Sequence, residues 1–332
     1  MTRYLFVSPD SNTPTGGVKV IYKHAELLRS LGVDAHVMHF QRPFRCDWFE
    51  NTASIVYFDE LRTTDMLMVP EIMTIFGTQL ASIGMRYCMY VQNGYLVLPT
   101  APLQEVWNCY RNATAILSIS EDTSSFLGSV FPEFAHKIVR VKYSIDTTRF
   151  GAPALPDSPP RAKKCTFMPR KLPLHSSNLV PWLARAFPDW TFQPIHNMTE
   201  AQVAAELQSS RVFLAFSDFE GCPVPPLEAA ISGNVVVGYP GWGGQEYWAA
   251  PNFLPVPVGD MRAFVAQFRV ATGIALRPDA PALLAPGIER LQVDYGLATE
   301  TALLQQMVQR VQALAAAQAA QAAPAPAAQT PA

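Results

Sequence analysis

The chain alternates two kinds of hydrophobic pattern. Short apolar runs such as Tyr4-Leu5-Phe6-Val7 are followed by polar turn chemistry and then by apolar residues at helical spacing. In the first such unit the turn is SPDSNTPTGG and the helix face is Val18, Ile21, Ala25 and Leu28, closed by Gly32. Further strand-like runs are expected at residues 35–40, 54–57, 66–69, 87–91, 115–119 and 138–141, with helix-length stretches such as 73–83 and 123–130 between them. Strands alternating with helices predict a mostly parallel sheet covered on both faces.

Residues 151–164, GAPALPDSPPRAKK, carry no apolar periodicity and are dense in proline, which reads as a linker. A second series follows, with strands expected at 165–168, 190–194, 212–216, 235–238 and 253–256 and helices at about 178–187, 200–209, 226–232 and 261–271. The reading is therefore α/β, two Rossmann-like units at 1–150 and 165–296 with a cleft between them. Leu303, Leu304, Met307, Val308, Val311 and Leu314 predict an amphipathic helix over 297–318, and the Ala/Pro-rich residues 319–332 read as a disordered tail.

Composition narrows the function classes. A hydrophobic fraction of 49% can build two cores in 332 residues, and 25 basic against 27 acidic side chains leave a net charge of only −2. With 13 basic and 14 acidic residues in 1–150 and 12 and 13 in the rest, neither half has the basic footprint of a nucleic-acid partner. Five scattered cysteines without a C-x-x-C pair suggest neither a disulfide framework nor a zinc site. A cytoplasmic protein is expected, without signal-peptide or membrane-span stretches, and the sequons at Asn112 and Asn197 read as chance matches.

The densest chemistry lies in residues 213–246, FLAFSDFEGCPVPPLEAAISGNVVVGYPGWGGQE. A strand ending at Asp218 is expected to lead through a loop carrying Glu220 into a helix opened by Pro225-Pro226, with Glu228 in its first turn. Ligands of an open parallel sheet bind beyond the carboxyl ends of its strands, so both carboxylates should face the cleft, where they could accept hydrogen bonds from a polyhydroxylated ligand. A first-turn glutamate can equally serve only to complement the helix dipole. The pair is followed by a second strand and by the glycine-rich loop 241–244 with Trp242 and Glu246.

The stretch EGCPVPPLEAAISGNVVV resembles the donor-site signature of retaining nucleotide-sugar glycosyltransferases of the GT-B architecture, in particular glycosyltransferase family 4. TGGVKVIYKHAELLRSLGVDAHV, AILSISEDTSSFL, RVKYSIDTTRF and CTFMPRK resemble that family in the expected order, over roughly residues 3–260. The resemblance implies that Glu228 binds the donor ribose, that Glu220 lies by the transferred sugar, and that Gly221 and Val224 belong to the donor-binding set. It implies that Arg170 and Lys171 hold the pyrophosphate. Gly16 and Gly17 would turn free helix N–H groups toward a phosphate, which an ordinary helix-entry turn would also do; Lys19 and His175 are further candidates beside these groups.

Two positions depart from the family's pattern. Cys222-Pro223 replaces an aromatic-glycine pair and removes one backbone donor, and Gln92-Asn93 stand where many members have a histidine. Amides orient a hydroxyl but cannot act as a base near neutral pH. No D-x-D occurs, so no metal and no cofactor is expected; the nucleotide diphosphate sugar is a substrate. The implied activity is hexosyl or deoxyhexosyl transfer to a glycan, a lipid-linked or another glycoconjugate acceptor, with room for peripheral contact at the inner membrane face. A nucleotide-sugar 2-epimerase on the same architecture and a non-catalytic nucleotide-sugar-binding subunit are the alternatives.

Overall fold

The computed structural model describes residues 2–151 and 161–322. The first series comprises β1 (Tyr4–Val7), α1 (Gly16–Ser30), β2 (Ala35–His39), β3 (Ile55–Tyr57), β4 (Met66–Pro70), α2 (Thr74–Ser82), β5 (Arg86–Val91), α3 (Leu103–Asn112), β6 (Ile116–Ser118), α4 (Glu121–Val130), β7 (Ile138–Arg140) and the single turn α5 (Thr147–Phe150). The second comprises β8 (Lys164–Phe167), α6 (Pro173–Ala186), β9 (Thr191–Pro194), α7 (Glu200–Ser209), β10 (Val212–Ser217), α8 (Val224–Ile231), β11 (Val235–Pro240), β12 (Phe253–Pro255), α9 (Met261–Ala275), α10 (Ala280–Asp294) and α11 (Leu297–Ala322).

All pairings in both sheets are parallel. The first sheet runs β3-β2-β1-β4-β5-β6-β7, the doubly wound order in which the chain reverses direction between β1 and β4. The period-2 alternation of a strand explains its two cores: Tyr4 and Phe6 join Ile21, Tyr22 and Leu28 of α1 on one face, while Leu5 and Val7 join Leu80, Val106, Tyr110 and Leu127 on the other. The second sheet runs β12-β11-β10-β8-β9. β9 is its edge, and the edge ends in Pro194, a residue that cannot offer an N–H to a further strand.

Local chemistry fixes the helix starts. The Ser120 hydroxyl accepts from the Thr123 N–H at 3.1 Å before α4, and Thr199 with Gln202 forms a reciprocal capping box before α7. Three helical elements outside the sequence reading are present, α3, the single turn α5 and α10, and α6 begins at Pro173 rather than near 178 because the proline occupies the first helical position. β10 stops at Ser217, and α8 begins at Val224, so Glu228 is the helix's fifth residue. That corrects its placement in the first turn and weakens the explanation by the helix dipole.

α11 does not stay with the second sheet. It returns to the first series, burying Leu304, Met307, Val308 and Val311 in the core that α1 also covers. Glu300 is sunk beneath it, where it accepts from the Ser144 N–H (3.1 Å) and hydroxyl (2.6 Å) and pairs with Lys23 and His24, each at 3.2 Å. The helix runs to Ala322, four residues into the segment read as tail; the remainder, 323–332, lies outside the described residues. Of the linker, 152–160 also lie outside them, whereas Arg161 donates to the carbonyls of Ser210 (3.1 Å) and Ser232 (2.6 Å) of the second series.

Candidate active site

The carboxyl ends of the two sheets face each other, and the loops that leave them build one cleft. From the first series come the start of α1 and the Gln92-Asn93 loop after β5. From the second come the turn after β8, the Asp218–Pro223 loop after β10 and the glycine loop after β11. Backbone meets backbone at their centre: a Cβ on Gly221 would lie 1.8 Å from the Gln92 carbonyl oxygen, and one on Gly243 only 1.7 Å from the Gly221 carbonyl oxygen. Only glycine allows these three loops to stack.

The same loops are tied by hydrogen bonds. Gln92 Nε2 donates to the Gly17 carbonyl (3.1 Å), and Asn93 Nδ2 donates across the cleft to the Phe219 carbonyl (2.8 Å). Tyr143 donates to the Cys222 carbonyl at 2.9 Å, and Tyr247 to the Pro223 carbonyl at 2.7 Å. Glu246 accepts from Arg140 Nη2 at 2.8 and 2.9 Å, from the Tyr295 hydroxyl at 2.6 Å and from the Glu121 N–H that opens α4 at 2.7 Å. The two series are thus held in a closed arrangement.

Around this centre stand most of the residues singled out in the sequence. Glu220 is paired with Lys171, which lies in the turn after β8. Glu228 points from α8 into the cleft, half-buried, and among the described residues its carboxylate has no hydrogen-bond or ion-pair partner. Burial pushes it up to about 7, moderated by the nearby Lys19 ammonium and reinforced by Glu200. Lys19 itself crosses the cleft to Glu200, which Arg149 also engages. At the start of α1, Thr15 makes no side-chain cap and the first turn has no acidic residue, so the N–H groups at Gly16 and Gly17 are left for an anion.

Val224 is the first residue of α8, and with Pro223 before it and Pro225-Pro226 after it, that helix start offers little besides the Val224 N–H. Arg170 is exposed, and Trp242 leaves 49% of its surface open on the loop that stacks on Gly221. His175 does not join the group: its Nδ1 lies 3.2 Å from the Tyr239 hydroxyl, and its ring stands edge-on to that tyrosine. Among the described residues no three His, Cys, Asp or Glu side chains are placed to hold a metal ion, and no helix is long and apolar enough to cross a membrane.

One cleft residue escaped the sequence reading. Glu71, just past β4, is only 5% exposed, and its carboxylate accepts the backbone N–H groups of Gln92 (3.2 Å) and Asn93 (3.0 Å). Burial, with no cation paired to it among the described residues, pushes it up to about 7. The signal available was a charge ending the wholly apolar run MLMVPE.

No family model matches the sequence, and no curated protein is similar to it in sequence. Solved structures are similar in fold. Sucrose-phosphate synthase from Thermosynechococcus elongatus superposes with a TM-score of 0.67 at 14% identity, covering 96% of this chain and 100% of that one. HepE of Anabaena, in complex with UDP and glucose, gives 0.70 at 12% identity over 94% and 100%. A UDP-forming α,α-trehalose-phosphate synthase from Burkholderia xenovorans gives 0.66 at 10% identity over 95% and 100%. The architecture is that of GT-B glycosyltransferases, two Rossmann-like units around a cleft.

Proposed function

We propose that this chain is a glycosyltransferase that takes a sugar from a nucleotide diphosphate donor and delivers it, with retention of anomeric configuration and without a metal, to a glycan, lipid-linked or other glycoconjugate acceptor. The observation that carries the reading is the unpartnered Glu228 carboxylate, set in one closed cleft with Lys171, Glu220 and the uncapped start of α1. In its ionised form, a carboxylate without a protein partner among the described residues suits a pair of vicinal hydroxyls, such as those of a ribose. The similar structures whose complexes contain UDP or UDP-glucose support a donor of this class.

In this reading Glu228 holds the ribose. The diphosphate lies toward the α1 amides, with Arg170 and Lys171 beside it, while Val224 supplies one further N–H. As the bond between the sugar C1 and the phosphate oxygen breaks, its electron pair goes to the diphosphate, and charge develops where fixed positive groups stabilise it most. The acceptor oxygen bonds to C1 on the same face and passes its proton to the departing phosphate oxygen. Glu220, paired with Lys171, accepts a hydroxyl of the transferred sugar in this reading. Loop stacking at Gly221 brings the two units together around the donor. A cytoplasmic enzyme, peripheral to the membrane when its acceptor is lipid-linked, completes the reading.

A non-catalytic nucleotide-sugar-binding role is the second reading, because Asn93 is engaged with the Phe219 carbonyl and cannot serve as a base, and Pro223 withholds a donor. Titration with a panel of nucleotide sugars, followed by NMR assignment of the product anomer with any acceptor that turns over, tests both. Transfer with inversion contradicts the mechanism, and tight binding without transfer or hydrolysis favours the second reading.

A further inference from the structure

Glu71 occupies a place that a stability argument alone does not explain. A carboxylate this deeply buried, with no cation paired to it among the described residues, is costly to the fold. Its partners are the adjacent backbone amides of Gln92 and Asn93, accepted one on each carboxylate oxygen. Those two residues make the first series' contribution to the cleft centre: Gln92 bonds Gly17 and lays its carbonyl on Gly221, and Asn93 bonds the Phe219 carbonyl. The Asn93 side chain is also spent locally, accepting from the Tyr95 N–H at 3.0 Å. The titratable groups that face Glu71 are the phenols of Tyr90, on β5, and Tyr110, on α3; Tyr110's hydroxyl has no partner among the described residues.

We propose that Glu71 is a positioning residue, whose carboxylate fixes the Gln92-Asn93 backbone and thereby sets how the two Rossmann-like units meet at Gly221 in the transfer-competent state. The role rests on the glycosyltransferase reading, yet half of it can be tested without any activity. Glu71 touches neither donor nor acceptor in this account. Its effect therefore falls on turnover through the loop and not on nucleotide affinity.

The test compares the full chain with Glu71→Leu and Glu71→Gln by hydrogen exchange of the peptide spanning 88–96, by UDP titration and by hydrolysis of UDP-glucose. Glu71→Leu should speed exchange at residues 92 and 93 at least tenfold and lower turnover at least tenfold, with UDP affinity within twofold of wild type. Glu71→Gln, which keeps one acceptor oxygen, should recover most of both losses. Unchanged exchange and turnover in Glu71→Leu, or equal proportional losses of affinity and turnover, would overturn the proposal. Should Glu71→Leu fail to fold, pH profiles decide: below about pH 7 the wild-type loop should lose protection as the carboxyl protonates, falling to the level of Glu71→Gln, whose profile should be flat there, and identical profiles would sink the idea. If the wild type neither binds UDP nor hydrolyses UDP-glucose, the same comparison is made with GDP, ADP and their glucose conjugates; binding of none of them means that the functional reading has failed, and loop exchange still decides whether Glu71 holds the loop.

Discussion

The carbonyl oxygen of Gln92 rests on Gly221, leaving no room for a side chain: a Cβ there would lie 1.8 Å from it. Both partners are backbone, so neither can swing aside, and Gly221→Ala must push the units apart. We expect Gly221→Ala to keep its circular dichroism spectrum, to increase the radius of gyration measured by small-angle scattering, and to lose at least tenfold in sugar transfer. Wild-type scattering and transfer would show that the contact is not needed.

Arg140 and Glu246 tie the two series directly. Their side chains are 23% and 15% exposed, so removing the guanidinium strands a partly buried carboxylate, at a cost of about 1–3 kcal/mol. Urea unfolding of Arg140→Ala, Glu246→Gln and the double variant checks this. The double variant should be less destabilised than the sum of the singles, since Glu246→Gln removes the charge that Arg140→Ala leaves unpaired; strict additivity would argue against the pair.

The alternation of strands and helices was legible because most of the parallel strands are buried apolar runs of a few residues bounded by turn chemistry. α10 was not, because Pro286 and Gly287 interrupt its pattern, and tertiary packing of Leu284 and Leu291 overrides them. The same distinction holds for the site. Glu220 and Glu228 were visible as a pair because their spacing is local. The partners of Glu71 and Glu246 were not, because they arrive from 21 and 106 residues away through the sheet topology and the closing of the cleft. Nothing local marked Glu228 as fifth in its helix either; that required the backbone to continue helically through Val224-Pro225-Pro226.

Arg170 and Lys171 should behave differently from Glu228. Their work is greatest on the charge that develops as the diphosphate leaves, so Arg170→Ala should lower kcat about tenfold or more while changing donor affinity by less than threefold. A parallel loss in kcat and affinity would place Arg170 in ground-state binding instead.

The pH dependence of Glu228 has a definite sign. Its carboxyl is raised from 4.5 to about 7 in the empty protein, so the folded chain holds the proton more tightly than the unfolded one. The group therefore lowers stability as pH rises from about 4.5 to about 7, and adds no further change above that. Donor binding through the ionised form should run the other way, weakening as pH falls below about 7, up to tenfold per unit. Thermal unfolding and donor titration between pH 5.5 and 8 check both: in Glu228→Gln the binding slope should flatten and the stability slope should shrink, Glu71 keeping its own share.

The central claim, that this cleft binds a nucleotide diphosphate sugar through Glu228, is tested most directly by calorimetric titration of wild type and Glu228→Ala with UDP, GDP, ADP and their glucose conjugates. The account predicts saturable binding of at least one of them to the wild type, weakened tenfold or more in Glu228→Ala without loss of fold. Absence of binding across the whole set, or equal affinity in the two proteins, would contradict it.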